Sequence, residues 1–106
     1  MRDETGLDAA LARPRNLWAY DPTVDLADLA AAYGFGLCRG HPFADGNKRV
    51  AFVTMIVFLG LNGLAFTADE DEVVVMIRRL AAGQVSQIRL ADWLRSKIAP
   101  IEGGAE

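Results

Sequence analysis

The chain has 106 residues and a formal net charge of −3, with 52% hydrophobic and 24% charged residues. These values are typical of one globular domain and argue against a disordered chain or a nucleic-acid-binding protein, whose binding surface is basic. A single cysteine and a single histidine exclude an internal disulfide and a structural zinc site, and the absence of a disulfide favours a cytoplasmic location.

The N-terminal region predicts one short helix followed by an irregular segment. Residues 3–12 can form a helix with Asp3 as its N-cap and apolar side chains along one face. Pro14 should end this helix, because the residue before a proline avoids the helical region of backbone space. Residues 16–24 have no helical period and are interpreted as a loop or a short extended hairpin.

The middle of the chain predicts two helices joined by a loop. Apolar residues recur at three- and four-residue spacing over residues 25–39, which predicts a helix, and Gly34 and Gly36 suggest that it packs closely against a neighbour. The loop 41–46 follows it. The next predicted helix, over residues 47–61, is expected to be the longest and most buried.

This third helix overlaps an apolar run, residues 50–66, that is similar in composition to a membrane span. The run is shorter than the roughly 20 residues that a span needs, and Gly60, Asn62 and Gly63 interrupt its second half. The sequence therefore favours a helix that is buried on all sides at the centre of a small domain.

The C-terminal half predicts one short extended piece and two more helices. Residues 64–67 are expected to be extended, and residues 69–82 form a helix whose acidic first turn and basic last turn suit the helix dipole. A final helix is predicted from Ser86 or Gln87 to Ile98. Accordingly, residues 1–99 are expected to form the domain and residues 100–106 a flexible tail.

The loop between the second and third predicted helices has the composition of a phosphate site. The first N–H groups of a helix have no partner and its dipole is positive there, so an anion binds readily. Gly46 allows close approach of the backbone, and Lys48 and Arg49 add two positive charges. Asp45 would repel a phosphate unless a divalent cation bridges them, and His41 can act as a general base near neutral pH.

Each of these residues also has a simpler interpretation. His41 could be only a turn residue, Asp45 only an N-cap, and the pair Lys48 and Arg49 only a solvated helix start. However, positive charge at a helix N-terminus opposes the dipole, and such a local conflict is typical of a functional site.

The same loop resembles the signature of the Fic family, H-x-F-x-(D/E)-G-N-x-R, since it reads His41-Pro42-Phe43-Ala44-Asp45-Gly46-Asn47-Lys48-Arg49. The general Fic form has a second glycine where this chain has Lys48 and a second arginine where it has Phe52. Both departures are similar to the Doc branch of the family. The resemblance extends over roughly residues 2–95 through the flanking pairs Arg2-Asp3, Ala10-Leu11, Arg13-Pro14, Phe58-Leu59 and Asn62-Gly63.

The resemblance implies an all-α, compact helical bundle of the Fic/Doc type, in which the motif loop leads into a buried central helix. It also implies a role for each residue of the loop. His41 would be the catalytic base, Asp45 the Mg²⁺ ligand, Phe43 the anchor of the loop, and Gly46, Asn47, Lys48 and Arg49 the residues that bind the phosphates of ATP.

For function, the resemblance implies a Doc-like toxin of a toxin–antitoxin system. Such a toxin is a protein kinase that uses ATP and Mg²⁺ to phosphorylate a threonine of elongation factor Tu, and this blocks translation. A small antitoxin would inhibit it in trans, no direct contact with nucleic acid or membrane is expected, and self-association is left open. The alternatives are a Fic-type protein adenylyltransferase, against which Lys48 argues, and a truncated, inactive domain that only binds an antitoxin.

Overall fold

The computed structural model describes residues 3–39 and 47–101, and these residues form a helical bundle with one small antiparallel sheet. The elements are α1 (Asp3–Tyr20), α2 (Leu26–Arg39), α3 (Asn47–Leu61), β1 (Leu64–Phe66), α4 (Glu70–Ala81), α5 (Gln87–Ser96) and β2 (Ile98–Pro100). The predicted all-α class is confirmed. Over the described residues, no helix combines the length and the apolar character that crossing a bilayer requires.

The first helix is longer than the sequence predicts. α1 continues through Pro14 to Tyr20, so the prediction that Pro14 ends it is wrong, and residues 16–20 are helical. A proline inside a helix costs about 3 kcal/mol, because it removes one backbone hydrogen bond and crowds the preceding turn. Pro14 is buried and α1 packs along α2, so tertiary packing offsets that cost.

Arg13 connects α1 to the rest of the bundle. Its guanidinium carbon lies 4.9 Å from the centre of the Phe35 ring on α2, and its Nε donates a hydrogen bond of 2.7 Å to Oε1 of Gln87 on α5. Both contacts suit a planar cation, which can stack on an aromatic face and donate at its edge. Arg13 therefore has a structural role that its sequence position did not indicate.

The central helix of the bundle is α2. It contacts α1, α3, α4 and α5, and the side chains of Ala27, Ala30, Ala31 and Ala32 are almost completely buried. Small side chains allow neighbouring helices to approach from several directions, which explains why an alanine-rich helix occupies the centre.

The prediction that α3 is buried on all sides, and is the longest helix, is wrong. Its buried face consists of Ala51, Met55 and Leu59 at four-residue spacing. The opposite face is apolar but open, with Leu61 82% exposed and Val53 and Val57 about half exposed. The hydrophobic residues of α3 therefore supply both a core face and an uncovered apolar surface.

Gly34 sets the distance between α2 and α3. A Cβ atom at this position would overlap the side chain of Met55 and lie 2.8 Å from its Cγ, which is closer than carbon atoms pack. Met55 is completely buried, so its side chain has little room to move aside. The predicted close packing at Gly34 is thus confirmed, and it fixes how α3 is oriented.

The second half of the chain largely follows the prediction. Gly83 has φ +82 and follows the end of α4, and Oγ of Ser86 accepts a hydrogen bond of 3.1 Å from the N–H of Arg89 to cap α5. A left-handed glycine after a helix and a serine N-cap are both strong sequence signals. They explain why the boundaries of α4 and α5 could be predicted to within about two residues.

The strand β2 was not predicted. α5 ends at Ser96, not at Ile98, and β2 pairs antiparallel with β1, placing Phe66 opposite Ile98. The N–H of Ile101 also donates to the carbonyl of Gly63 at 3.0 Å, so the ordered structure passes the predicted boundary at residue 99. Residues 102–106 lie outside the described residues, and a flexible tail there stays a prediction.

An ion network joins the start of α2 to α5. Arg95 donates to Asp25 at 2.7 Å, to Asp28 at 2.9 Å and to Asp92 at 2.8 Å. Asp25 and Asp28 also accept hydrogen bonds from each other's backbone N–H groups, at 2.9 and 3.0 Å, which closes the first turn of α2. The Arg95 guanidinium holds the pKa of Asp25 well below its ordinary value.

Candidate active site

The predicted phosphate site lies where α2 ends and α3 begins. Arg39 is the last residue of α2, Asn47 is the first residue of α3, and residues 40–46 join them. The predicted base, loop anchor, metal ligand and phosphate-binding glycine lie outside the described residues; these are His41, Phe43, Asp45 and Gly46. Their roles therefore stay predictions, and the described half of the site is the first turn of α3.

Lys48 and Arg49 lie in this first turn, and both side chains are exposed. In the part of the chain that the structure describes, neither side chain forms an ion pair or a hydrogen bond. A positive charge at a helix N-terminus costs about 0.3–1 kcal/mol, because it lies at the positive end of the dipole. The two cations are thus placed against the dipole, with no described side chain to neutralise them.

The core fixes the direction of this first turn. Ala51, one turn after Lys48, is completely buried, and it continues the face that packs against α2. Gly34 allows α2 and α3 to pack closely where Met55 of α3 meets α2. Lys48 and Arg49 therefore lie on the solvent side of α3, while Ala51 lies on its core side.

Phe52 occupies the position at which the general Fic signature has a second arginine. Its ring centre lies 5.7 Å from that of Phe66, with the two planes at 73°, and Phe66 in turn lies 5.4 Å from Trp93. Edge-to-face aromatic pairs of this kind add about 0.5–1.5 kcal/mol beyond the area that they bury. The position packs α3 against β1, and Phe66 in turn packs against α5; the Phe52 side chain has no group that binds phosphate.

At the end of this aromatic row, the indole of Trp93 contacts the ion pair of Glu72 and Lys97. Its Nε1 donates to Oε2 of Glu72 at 3.2 Å, and Nζ of Lys97 lies 2.9 Å from the same oxygen. The hydrogen bonds from Lys97 and Trp93 lower the pKa of Glu72. Phe66, Trp93 and Glu72 support Phe52 from distant parts of the chain, so no local sequence pattern could have identified them.

The described residues contain no cluster of three or more histidine, cysteine, aspartate or glutamate side chains that could hold a metal ion. The predicted Mg²⁺ site thus depends on Asp45, which lies outside that part of the chain. One carboxylate together with substrate phosphates and water is a donor set that suits Mg²⁺, which seldom requires a cage made of protein ligands alone.

Comparison with known proteins gives the family. The model of the Fic/DOC family matches residues 1–59. The chain is 34% identical to Protein kinase doc of Escherichia phage P1 over 95 residues, which are 90% of this chain and 75% of that relative. It is 43% identical to Toxin Doc of Mycolicibacterium smegmatis over 72 residues, which are 67% of this chain and 55% of that relative. Since the family model covers more than half of the chain and both relatives carry the Doc name, the chain belongs to the Fic/DOC family, in its Doc branch.

Proposed function

We propose that this protein is a Doc-like toxin of a toxin–antitoxin system and an ATP-dependent protein kinase. Its expected target is a threonine hydroxyl of a translation factor, elongation factor Tu, whose modification blocks translation. The names of the two relatives, a protein kinase and a toxin, support this proposal. The observation that carries it is the exposed pair Lys48 and Arg49 on the first turn of α3.

This pair supports phosphate binding on electrostatic grounds. Two cations, together with the unpaired N–H groups of the first turn, form a strongly positive surface, which costs stability until an anion binds. The guanidinium of Arg49 can hold two phosphate oxygens in a fork, and the ammonium of Lys48 can contact a second phosphate as a point charge. Asn47, at the start of the same helix, is proposed as a further phosphate ligand.

The packing of Phe52 supports kinase chemistry over AMP transfer. In the general Fic signature a second arginine stands at this position, and on our proposal its loss removes the group that holds the far phosphates for AMP transfer. Phe52 packs against Phe66, so no charge from this position is available. Lys48 also replaces the glycine that leaves room for the nucleotide to pass. Both changes favour a pose in which the γ-phosphate lies nearest the target hydroxyl.

The proposed reaction is a direct displacement. His41 accepts the proton of the target hydroxyl, and the hydroxyl oxygen forms a bond to the γ-phosphorus of ATP. The bond from the γ-phosphorus to the β–γ bridging oxygen breaks, and ADP leaves. Lys48, Arg49 and the amides of the helix N-terminus, from Gly46 onward, position the phosphates and stabilise their charge. Mg²⁺, held by Asp45, would neutralise further charge on the phosphates, and Phe43 would anchor the loop.

The proposed inhibitory partner is an antitoxin that acts in trans, because a toxin must be held inactive until it is needed. Neither direct contact with nucleic acid nor a membrane location forms part of the proposal. Co-expression of the neighbouring gene product with the chain tests the partner: the two should purify together, and growth should be restored.

ATP labelled at different phosphates tests the chemistry. Label from the γ-phosphate should reach elongation factor Tu, and label from the α-phosphate should not. Lys48→Gly should lower γ transfer, and His41→Ala should abolish both transfer and growth inhibition without unfolding the protein. Arg78→Gln, which removes an exposed arginine on α4, is the matched control and should leave transfer unchanged. Transfer of the α label by the unmodified protein would establish an adenylyltransferase instead, and transfer of neither label would refute the proposed kinase activity on this target.

A further inference from the structure

A surface groove of about 730 Å³ lies between α4 and α5, on elements that do not carry the motif. α4 contributes Met76 and Arg79, and α5 contributes Arg89 and Trp93. Val85, from the connection between the two helices, also lines it. The groove therefore combines two cationic side chains with an apolar base, which is the composition of a site for a ligand that carries both properties.

The charges of this groove are unbalanced. Arg79 and Arg89 are exposed, and within the described ranges 3–39 and 47–101 no carboxylate forms an ion pair with either. Asp92 lines the same groove, and its carboxylate accepts a hydrogen bond of 2.8 Å from Arg95, whose guanidinium also pairs with Asp25 and Asp28. The lining therefore carries two positive charges and one negative charge, a positive excess of one on a protein whose net charge is −3.

Local helix electrostatics do not explain Arg89. Arg79 lies in the last turn of α4, where the dipole favours a cation, but Arg89 lies in the first turn of α5, where the dipole opposes one. The capping requirement of α5 is already met by Ser86, whose Oγ accepts from the N–H of Arg89 at 3.1 Å. Among the described residues, the guanidinium of Arg89 forms no hydrogen bond or ion pair. Both this guanidinium and the N-terminus of α5 therefore attract an anion.

The base of the groove is apolar and fixed in place. Val85 is only 9% exposed, and Met76 and Trp93 are partly buried against the core. The indole N–H of Trp93 already donates to Glu72, so the ring is available as an apolar surface. A methionine beside a tryptophan forms an adaptable contact for an apolar side chain.

We propose that this groove docks an acidic segment of a partner protein. One apolar side chain of the segment rests on Met76, Val85 and Trp93, and carboxylates on either side of it pair with Arg79 and Arg89. A free phosphate would use the arginines but not the apolar base. A nucleic acid would need a longer basic surface than the two arginines that line this groove. Charge complementarity therefore identifies an acidic peptide as the occupant.

A random peptide library displayed on phage tests the proposal with the full chain as bait. The selected peptides should be enriched in aspartate and glutamate around one apolar residue. Their affinities are then measured by tryptophan fluorescence in a Trp18→Phe background, which leaves Trp93 as the only indole, since the chain has two tryptophans. Arg79→Gln and Arg89→Gln should each weaken binding by about tenfold, because each removes one charge pair.

Arg78→Gln is the matched control, because Arg78 is the neighbouring exposed arginine of α4 and does not line the groove. It should change affinity by less than about twofold, the effect expected of a charge at the rim. Selected peptides that lack acidic residues, no enrichment at all, or equal losses in the Arg78 and Arg79 variants would overturn the proposal. Displacement of the peptides by inorganic phosphate at a similar affinity would overturn it in favour of a small-anion site. The assay measures binding without ATP, so its outcome is independent of phosphate transfer.

Discussion

Replacing Lys48 and Arg49 by glutamine should raise the stability of the protein while it removes activity. Both side chains are exposed in the first turn of α3, and the described residues place no carboxylate in ion-pair contact with either. Each positive charge there opposes the helix dipole at a cost of about 0.3–1 kcal/mol. The double variant Lys48→Gln/Arg49→Gln should therefore gain about 0.6–2 kcal/mol in free energy of unfolding, if the two terms add.

Thermal unfolding followed by circular dichroism measures this gain. In a domain of about 100 residues, 1 kcal/mol shifts Tm by about 4–8 °C, so the double variant should melt about 2–16 °C higher at low salt. The difference should shrink in 0.5 M salt, since exposed charges are screened there (roughly a 4 Å Debye length). Transfer of γ-phosphate by the same preparation should fall to background.

Arg78→Gln provides a control of opposite sign. Arg78 is also exposed, but it lies in the last turn of α4, where the dipole favours a cation, so its loss should lower stability by about 0.3–1 kcal/mol. If the double variant instead melts below the unmodified protein, Lys48 and Arg49 make a net stabilising contribution to the folded state. In that case, phosphate binding does not explain why two cations lie at this helix start.

Two further predictions concern the packing and the ion network. Gly34→Ala should destabilise the protein by about 1–3 kcal/mol in urea unfolding, because its methyl group collides with buried Met55. Gly60→Ala, where no atom lies within 4 Å of the added methyl group, should instead stabilise the protein by a few tenths to about 1 kcal/mol. Destabilisation of similar size in both variants would show that the collision with Met55 is not the cause. The folded-state pKa of Asp25 lies below its ordinary value of 3.8, so its contribution to stability is present above about pH 4 and disappears as pH falls through the lowered pKa. Arg95→Gln should cost about 0.5–1 kcal/mol at pH 7 and flatten this acid dependence; an unchanged pH profile would contradict the role of the Arg95 network.

The parts of the fold that the sequence predicted correctly depend on local signals. Ser86 caps α5 and Gly83 follows α4 with a positive φ, and both act through backbone groups within a few residues. The helical period of α2 was also clear, because one helix face must meet the core wherever the helix lies. The close approach at Gly34 follows from the absence of a side chain.

The parts that the sequence did not predict depend on distant contacts. α1 passes through Pro14 because packing against α2 outweighs a local penalty, and β2 forms because β1 lies beside it. The apolar composition of α3 could not distinguish burial on all sides from one buried face and one open face. For the same reason, the contact of Phe52 with Phe66, and that of Phe66 with Trp93, could not be predicted from the sequence.

The candidate site was predicted mainly from its motif. The structure adds that Lys48 and Arg49 are exposed at a helix start, and that Phe52 belongs to an aromatic cluster. The predicted roles of His41 and Asp45 depend on the resemblance and on the chemistry of their side chains. In the described part of the site, the positive charges of Lys48 and Arg49 conflict with the dipole of α3. Phosphate binding would explain this conflict.

Mass spectrometry of elongation factor Tu after incubation with the protein, ATP and Mg²⁺ tests the central claim most directly. One threonine should gain the mass of a single phosphate, and neither His41→Ala nor Lys48→Gln/Arg49→Gln should produce this product. A gain equal to AMP, or an unmodified factor after incubation with folded protein, would refute the proposed kinase activity.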